Sequence, residues 1–214
     1  MFLKHATKGQ GQALDDEQKK KLHAIKEATR HLAKLTEDLL DVTRVQAGLF
    51  HLQQRSTELI ALTRQVVDRL QTTTDLHQVS IQTTLASLWA SVDAFRLEQV
   101  LSNLLTNAIK YSPQGGSIEV GIRKDVEGRE ACFSICDHGM GIPQEQQASI
   151  FGRFVRADNV RAARISGTGL GLYLCRELVE RHAGHIWFES QEHIGSTFFF
   201  TLPCDTFVQA EHMS

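Results

Sequence analysis

One short stretch constrains this chain more than any other. An apolar run at 131–136, ACFSIC, leads without a break into Asp137-His-Gly139-Met-Gly141-Ile142-Pro143. The run reads as a buried strand, so the acid falls at a strand end. A carboxylate buried there is costly unless a group donates hydrogen bonds to it. An adenine amino group is such a donor. Gly139 and Gly141 remove side chains where a flat ring must approach closely, and they permit positive φ. A plain strand-to-loop turn fits the same seven residues, so the rest of the chain has to decide between the two.

The pattern around that stretch is mixed. Residues 1–12 show no period. From Asp15 to about Ala47 the chain reads as one helix, with Ile25, Leu32 and Leu39 on one seam and Ala28, Leu35 and Val42 on a second. That seven-residue spacing predicts a helix packed along another helix, stopped by Gly48. A helix is expected over Ser56–Asp75, with Leu59, Leu62, Val66 and Leu70 on one side. A strand follows with Val79, Ile81, Thr83 and Leu85 alternating. Asp93 reads as the N-cap of a helix over Ala94–Lys110. Strands are expected at Ser117–Lys124, Ala131–Cys136, Ile186–Glu189 and Thr197–Leu202. A helix over Gly169–His182 is stopped by Gly184. The order predicts an α+β fold, a two-layer α/β sandwich with helices on one face of a mixed sheet.

Composition narrows the classes. The chain has 214 residues, 42% of them hydrophobic, and a formal net charge of -2. That charge argues against a general nucleic-acid binder. No apolar run is long enough for a bilayer, and no secretory signal opens the chain. Cys132, Cys136, Cys175 and Cys204 form no CxxC pair and read as reduced core residues of a cytoplasmic protein.

Three further places carry chemistry. In EQVLSNLLTNAIKYSP, Asn103, Asn107 and Lys110 lie at i, i+4 and i+7 on one helix face. Two amides and an ammonium offer oxygen ligands to a hard cation and a charge to phosphate. A solvated polar stripe is the equal alternative. GTGLGL, Gly167–Leu172, runs glycine-rich backbone into a helix N-terminus, where free N–H groups favour phosphate. No lysine follows its last glycine, so it is not a Walker loop. Between these lies FGRFVRADNVRAARIS. Phe151 and Phe154 are expected to anchor it, and Arg153, Arg156, Arg161 and Arg164 suit a mobile segment closing over phosphates, with a solvated loop of idle arginines as the alternative.

The order of these motifs resembles the ATP-binding domain of bacterial sensor histidine kinases, within the gyrase, Hsp90, kinase and MutL superfamily. Residues 98–113 look like the N box, DHGMGIP like the first glycine box, IFGRF like the F box and GTGLGL like the second glycine box. GSTFFFTLP matches the usual ending. The resemblance covers roughly residues 15–203 and implies a GHKL (Bergerat) fold binding ATP and Mg²⁺. By resemblance, Asp137 accepts from the adenine amino group, with Gly139, Gly141 and Ile142 around base and sugar. Asn107 holds Mg²⁺, with Asn103 as a possible second ligand. Lys110 reaches the phosphates, Tyr111 lines the base, and Thr197 sits behind Asp137. Phe154 and Arg156 come from the segment over the site. Gly167, Thr168, Gly169, Leu170 and Gly171 wrap the phosphates by backbone N–H groups, while the side chains of Leu170 and Leu172 pack. Hydrolysing relatives carry a glutamate where this chain has Asn103, and an amide is no general base near neutral pH. The implied reaction is therefore transfer of the γ-phosphate to a histidine, positioned by a protein that does not activate water.

The resemblance also implies an organisation. Residues 1–50 are expected to be the C-terminal part of a dimerising, phosphoacceptor helical hairpin, 51–205 the catalytic ATP-binding domain and 206–214 a disordered tail. Expected partners are a response regulator receiver domain and a second copy of the chain, with no nucleic acid and any membrane contact made only by other segments. One departure stands out. No His-Glu/Asp-Leu-Arg-x-Pro acceptor motif occurs. His5, His23 and His31 read as helix-surface residues, and the acceptor is expected upstream of Met1. A protein-serine kinase or a scaffold of the same superfamily is the alternative.

Overall fold

The computed structural model describes residues 15–47, 50–162, 165 and 167–204. Contacts divide the chain into residues 1–37 and 38–214. Helix α1 (Asp16–Gln46) begins in the first unit. Asp15 and Gln18 form a reciprocal cap there: Gln18 N donates to Asp15 Oδ1 at 2.7 Å and Asp15 N to Gln18 Oε1 at 3.1 Å, satisfying two amides the helix leaves free. Ile25 and Leu32, of the first predicted seam, are 62% and 63% exposed. The predicted stop at Gly48 and the predicted tail at 206–214 lie outside the described residues.

The second unit holds the last turns of α1 and the α/β sandwich. Arg55–Glu58 forms β1 and Trp89–Val92 forms β3, which pair antiparallel as a separate ribbon. Between them lie α2 (Leu59–Gln71) and β2 (His77–Gln82). Then come α3 (Ala94–Tyr111), β4 (Gly116–Lys124), β5 (Glu130–Asp137), a 3-10 helix at Gln144–Ser149 and the short α4 (Asp158–Ala162). Helix α5 (Gly171–Arg181), β6 (Ile186–Gln191) and β7 (Gly195–Pro203) complete the fold. The main sheet runs β2-β4-β5-β7-β6, parallel only between β2 and β4. Leu97, Val100, Leu101, Leu104, Leu105 and Ala108 of α3 are buried with Ile118, Val120, Phe133, Ile135 and Phe200 of the sheet. Each large side chain so buried contributes about 1.5–3 kcal/mol. The Phe133 and Phe200 rings stack across β5 and β7 with centroids 4.4 Å apart.

The mixed two-layer architecture agrees with the sequence, with three differences in detail. The expected helix from Ser56 begins only at Leu59. Residues 55–58 pair with 89–92, and Glu58 caps α2 by accepting from Ile60 N and Ala61 N. The same carboxylate accepts from Leu88 N at 2.8 Å, so one acid joins ribbon to helix. Second, Val42 of the expected second seam is buried with Leu170, Tyr173 and Leu174. It packs on α5 and its N-cap Leu170 in the sandwich, not on the second helix of a hairpin. Third, the residue with positive φ after α5 is Ala183, at 60°. Gly184 is required for another reason: a Cβ there would overlap the Thr201 carbonyl.

Within this unit, polar contacts hold the last turns of α1 and the residues after it. Asp41 Oδ2 accepts from Arg96 Nη1 at 2.8 Å and from Gln99 Nε2 at 3.0 Å. Arg181 donates to the Val45 and Phe50 carbonyls at 3.0 and 3.3 Å, and both Arg96 and Arg181 lie over the Phe50 ring. Beside them, the buried His182 makes two bonds of opposite sense. Its Nε2 accepts from Asp93 N at 3.0 Å, and its Nδ1 lies 2.7 Å from the Leu178 carbonyl as donor. His182→Leu removes both, leaving a buried N–H unpaired beside the α3 N-cap. The expected cost is about 1–3 kcal/mol of unfolding free energy, read as a lower urea midpoint with unchanged slope.

Candidate functional site

The site forms where three segments meet: the C-terminal half of α3, the loop after β5 and the N-terminus of α5. Asp137 is the last residue of β5 and only 6% exposed. Burial raises its pKa; the N–H groups of Gly139 and Ser196, and His138, oppose that rise. Gly139 N donates to Asp137 Oδ1 at 2.9 Å. Continuing the loop, Met140 N donates to the Tyr111 carbonyl at 2.9 Å, tying it to the end of α3. Gly141 has φ +62°, and a Cβ there would overlap the Gln191 backbone. Gly139 is likewise closed off by the Tyr111 carbonyl and Ser112. Both glycines are thus demanded by the protein's own backbone packing. Ile142 is buried, with its N–H donated to Ser190 Oγ at 2.9 Å.

Lys110 and Asn103 of α3 lie beside the glycine-rich segment that leads into α5. Lys110 Nζ would lie 2.8 Å from a Cβ on Gly167, and Asn103 borders Gly171 at the start of α5. The Lys110 ammonium sits 5.0 Å from the Tyr111 ring centroid. Its pKa falls to about 8, first because it is buried and then because Arg156 is near. The Tyr111 phenol is raised, by burial, against the opposing effect of Arg156. Gly169 packs on the Phe154 backbone. Thr168 Oγ1 accepts from Leu170 N at 3.2 Å and contacts Asp38 Oδ2 at 3.4 Å. The Leu170 side chain is fully buried, so it packs, and any ligand role is its backbone's. Asn107 lies half-buried on the same α3 face.

Two expectations are corrected. Thr197 does not sit behind Asp137. The register sets Ser196 opposite Asp137 and Thr197 opposite Cys136. Side chains alternate along a strand, so Thr197 points to the other side of the sheet. The residue beside Asp137 is Ser196, whose Oγ lies 2.9 Å from Ser190 Oγ. Counting the alternation back from Phe198 and Phe200 in the core would have found it. The second correction concerns the two phenylalanines. Phe151 does anchor its segment, edge-on to Phe188 and Phe198. Phe154 is 59% exposed with φ 60° and anchors nothing by its ring. Arg153 instead bonds Tyr173 Oη at 3.0 Å. Arg156 donates to the Ile165 carbonyl. Arg164 lies outside the described residues.

The end of α3 thus borders a buried carboxylate beside a tight loop on one side and, on the other, two cations and the N-terminus of α5. Such a site fits a base with an exocyclic amine at one end and an anion at the other. Asn103 Nδ2 and Arg156 Nε are buried donors without partners among the described residues, and two cations crowd one another there. Both facts fit an anion that the protein alone does not supply.

Residues 92–206, more than half of the chain, match the model of the histidine kinase-, DNA gyrase B- and HSP90-like ATPases. The chain belongs to that family. It is 36% identical over 201 residues to the circadian input-output histidine kinase CikA of Synechococcus elongatus, covering 92% of this chain and 26% of that protein. It is 33% identical to the sensor histidine kinase WalK of Bacillus subtilis, covering 82% and 29%. Among solved structures, full-length ShkA in complex with AMPPNP superposes with a TM-score of 0.73 at 26% identity, over 92% of this chain and 41% of that one. Histidine kinase ThkA in complex with the response regulator protein TrrA gives 0.70 at 25% identity, over 90% and 53%. The chain therefore spans roughly a quarter to a half of these relatives. Among the described residues, no helix is long and apolar enough to cross a membrane.

The two shifted groups predict a pH profile for nucleotide affinity. A phosphate held by Lys110 needs it as a cation, so affinity through this side chain should fall as pH rises through about 8. Asp137 accepts from an amine only as a carboxylate, so affinity also falls as pH drops through its raised pKa. Calorimetric titrations between pH 5 and 9.5 should show both limbs, and Lys110→Arg should remove the alkaline one, since arginine stays charged throughout.

Proposed function

We propose that this chain is the catalytic region of a sensor histidine kinase. It binds Mg-ATP and delivers the γ-phosphate to a histidine on a helical hairpin, for relay to a receiver-domain aspartate. The observation that carries the reading is that the end of α3 adjoins both the loop after Asp137, through Tyr111, and the start of α5, through Lys110 and Asn103, in a chain whose relatives are sensor histidine kinases.

In this reading Asp137 and Ser196 select adenine, and Tyr111 and Ile142 flank the base. Backbone N–H groups of Gly167–Gly171 hold the phosphates with Lys110 and Arg156. Mg²⁺ would be held by Asn107, with Asn103 as a second ligand, since amide oxygens suit a hard cation that draws its other ligands from phosphate and water. Bound there, the ion would neutralise phosphate charge as the γ-phosphoryl group departs. Asn103 cannot deprotonate water, so the protein's part is to bind and orient ATP until an imidazole reaches it. The exposed seam of Ile25, Leu32 and Leu39 supports dimerisation through the helix.

Mg-ATP titration by calorimetry tests the binding step. Asp137→Asn should raise the Kd on the order of ten- to a hundredfold, because a charge-assisted bond worth about 1.5–3 kcal/mol is lost. Incubation with labelled ATP should leave this chain unlabelled and phosphorylate a separate hairpin fragment carrying the acceptor motif. Acid-labile labelling of His5, His23 or His31 would contradict the reading of the acceptor, and absence of any nucleotide binding would overturn the whole.

A further inference from the structure

The loop from Met140 to Ile142 has each of its three carbonyls occupied, and the three donors come from different elements. His193 N, in the turn between β6 and β7, donates to Met140 O at 2.8 Å. Gln147 Nε2, in the 3-10 helix, donates to Ile142 O at 3.0 Å. Asn159 Nδ2, in α4, donates to Gly141 O at 3.0 Å. The first two donors belong to the hairpin and helix that frame the loop. The third reaches across from the arginine-bearing segment, 18 residues further along the chain.

The Asn159 amide is held at both ends. Its Oδ1 accepts from Val160 N at 2.8 Å, which fixes which end is the donor. The start of α4 is held too: Asp158 N donates to Gln146 Oε1 at 2.8 Å, and Gln146 Nε2 donates to Asp158 Oδ2 at 2.5 Å. Ala157 and Val160 are buried on either side. From Val160 the network continues away from the base loop. Ile165 N donates to Val160 O at 3.2 Å, and Arg156 donates to Ile165 O. Asn159 thus stands between the loop that follows Asp137 and the guanidinium that crowds Lys110.

We infer that Asn159 is a positioning residue for adenine selection, acting through the Gly141 carbonyl on the loop that sets Asp137. The inference rests on the nucleotide reading above. Gly141 makes the loop sensitive to this bond. Its φ of +62° and the lack of room for a Cβ beside the Gln191 backbone keep this position a glycine, the residue type with the freest backbone, so the Asn159 bond is what holds its carbonyl in place. Loss of the donor frees the peptide to rotate, and the Gly139 N–H that serves Asp137 lies two residues away.

Asn159→Asp is the discriminating variant. It keeps an oxygen for Val160 N, is nearly isosteric, and sets a carboxylate against the Gly141 carbonyl. Asn159→Ala removes the donor without adding repulsion. Mg-ATP and Mg-GTP affinities are measured by calorimetry on this chain and both variants, with thermal melting alongside. The expected result is a loss of ATP affinity of about tenfold for Asn159→Ala and more for Asn159→Asp, with a narrowed ATP-to-GTP ratio in both. Partial unfolding lowers apparent affinity for both nucleotides alike and leaves that ratio unchanged. A retained ratio in both variants overturns the inference while leaving ATP binding by the parent chain intact. Failure of the parent chain to bind ATP removes the nucleotide reading, and this inference with it.

Discussion

A carboxylate buried at the end of a central strand sets the terms for everything around it. Asp137 is shielded from water and needs donors close by. Backbone N–H groups supply them: Gly139 from the loop and Ser196 from the neighbouring strand. For Gly139 to turn back, the loop must pass against the Tyr111 carbonyl and the Gln191 backbone with no room for a Cβ. For Ser196 to be opposite, β7 must start at Gly195 and keep one register along all of β5. The β5–β7 register, the glycine spacing and the end of α3 are thus three answers to one solvation problem.

The cationic side solves the converse problem. The chain carries a net charge of -2, yet Lys110 and Arg156 crowd one another beside an α5 N-terminus. Burial and the neighbouring guanidinium both make the ammonium harder to keep. Such a pocket is poorly satisfied by the protein alone and well satisfied by an anion. Polarity is therefore split across the site, with the acid at one end and the cations at the other.

Much of this was legible in the residues. The seven-residue and alternating periods placed the long helix, α3, α5 and all five main-sheet strands within a few residues. The glycine motifs located the loops because glycine spacing records close backbone approach. What was missed has physical reasons. The ribbon of β1 and β3 consists of four-residue strands, too short for a period to register, and the apolar face of α2 masked the first of them. Val42 fitted a heptad, but periodicity says only that a face is apolar and not what covers it. Thr197 rather than Ser196 came from matching a motif without counting which side of the strand each residue takes. Asn159 left no signal, because a single side-chain-to-carbonyl bond across 18 residues has no pattern in one sequence.

The depressed Lys110 pKa has a consequence for reactivity. An ordinary lysine is almost wholly protonated at neutral pH and is a poor nucleophile. With a pKa of about 8, a sizeable share of Lys110 amines carry a free electron pair under mild conditions. Acylating and aldehyde reagents would find this side chain well before a surface lysine with an ordinary pKa. A bound polyphosphate would hold the proton in place and quench that nucleophilicity. The charge that suits the pocket to phosphate also makes it, when empty, a chemically soft spot.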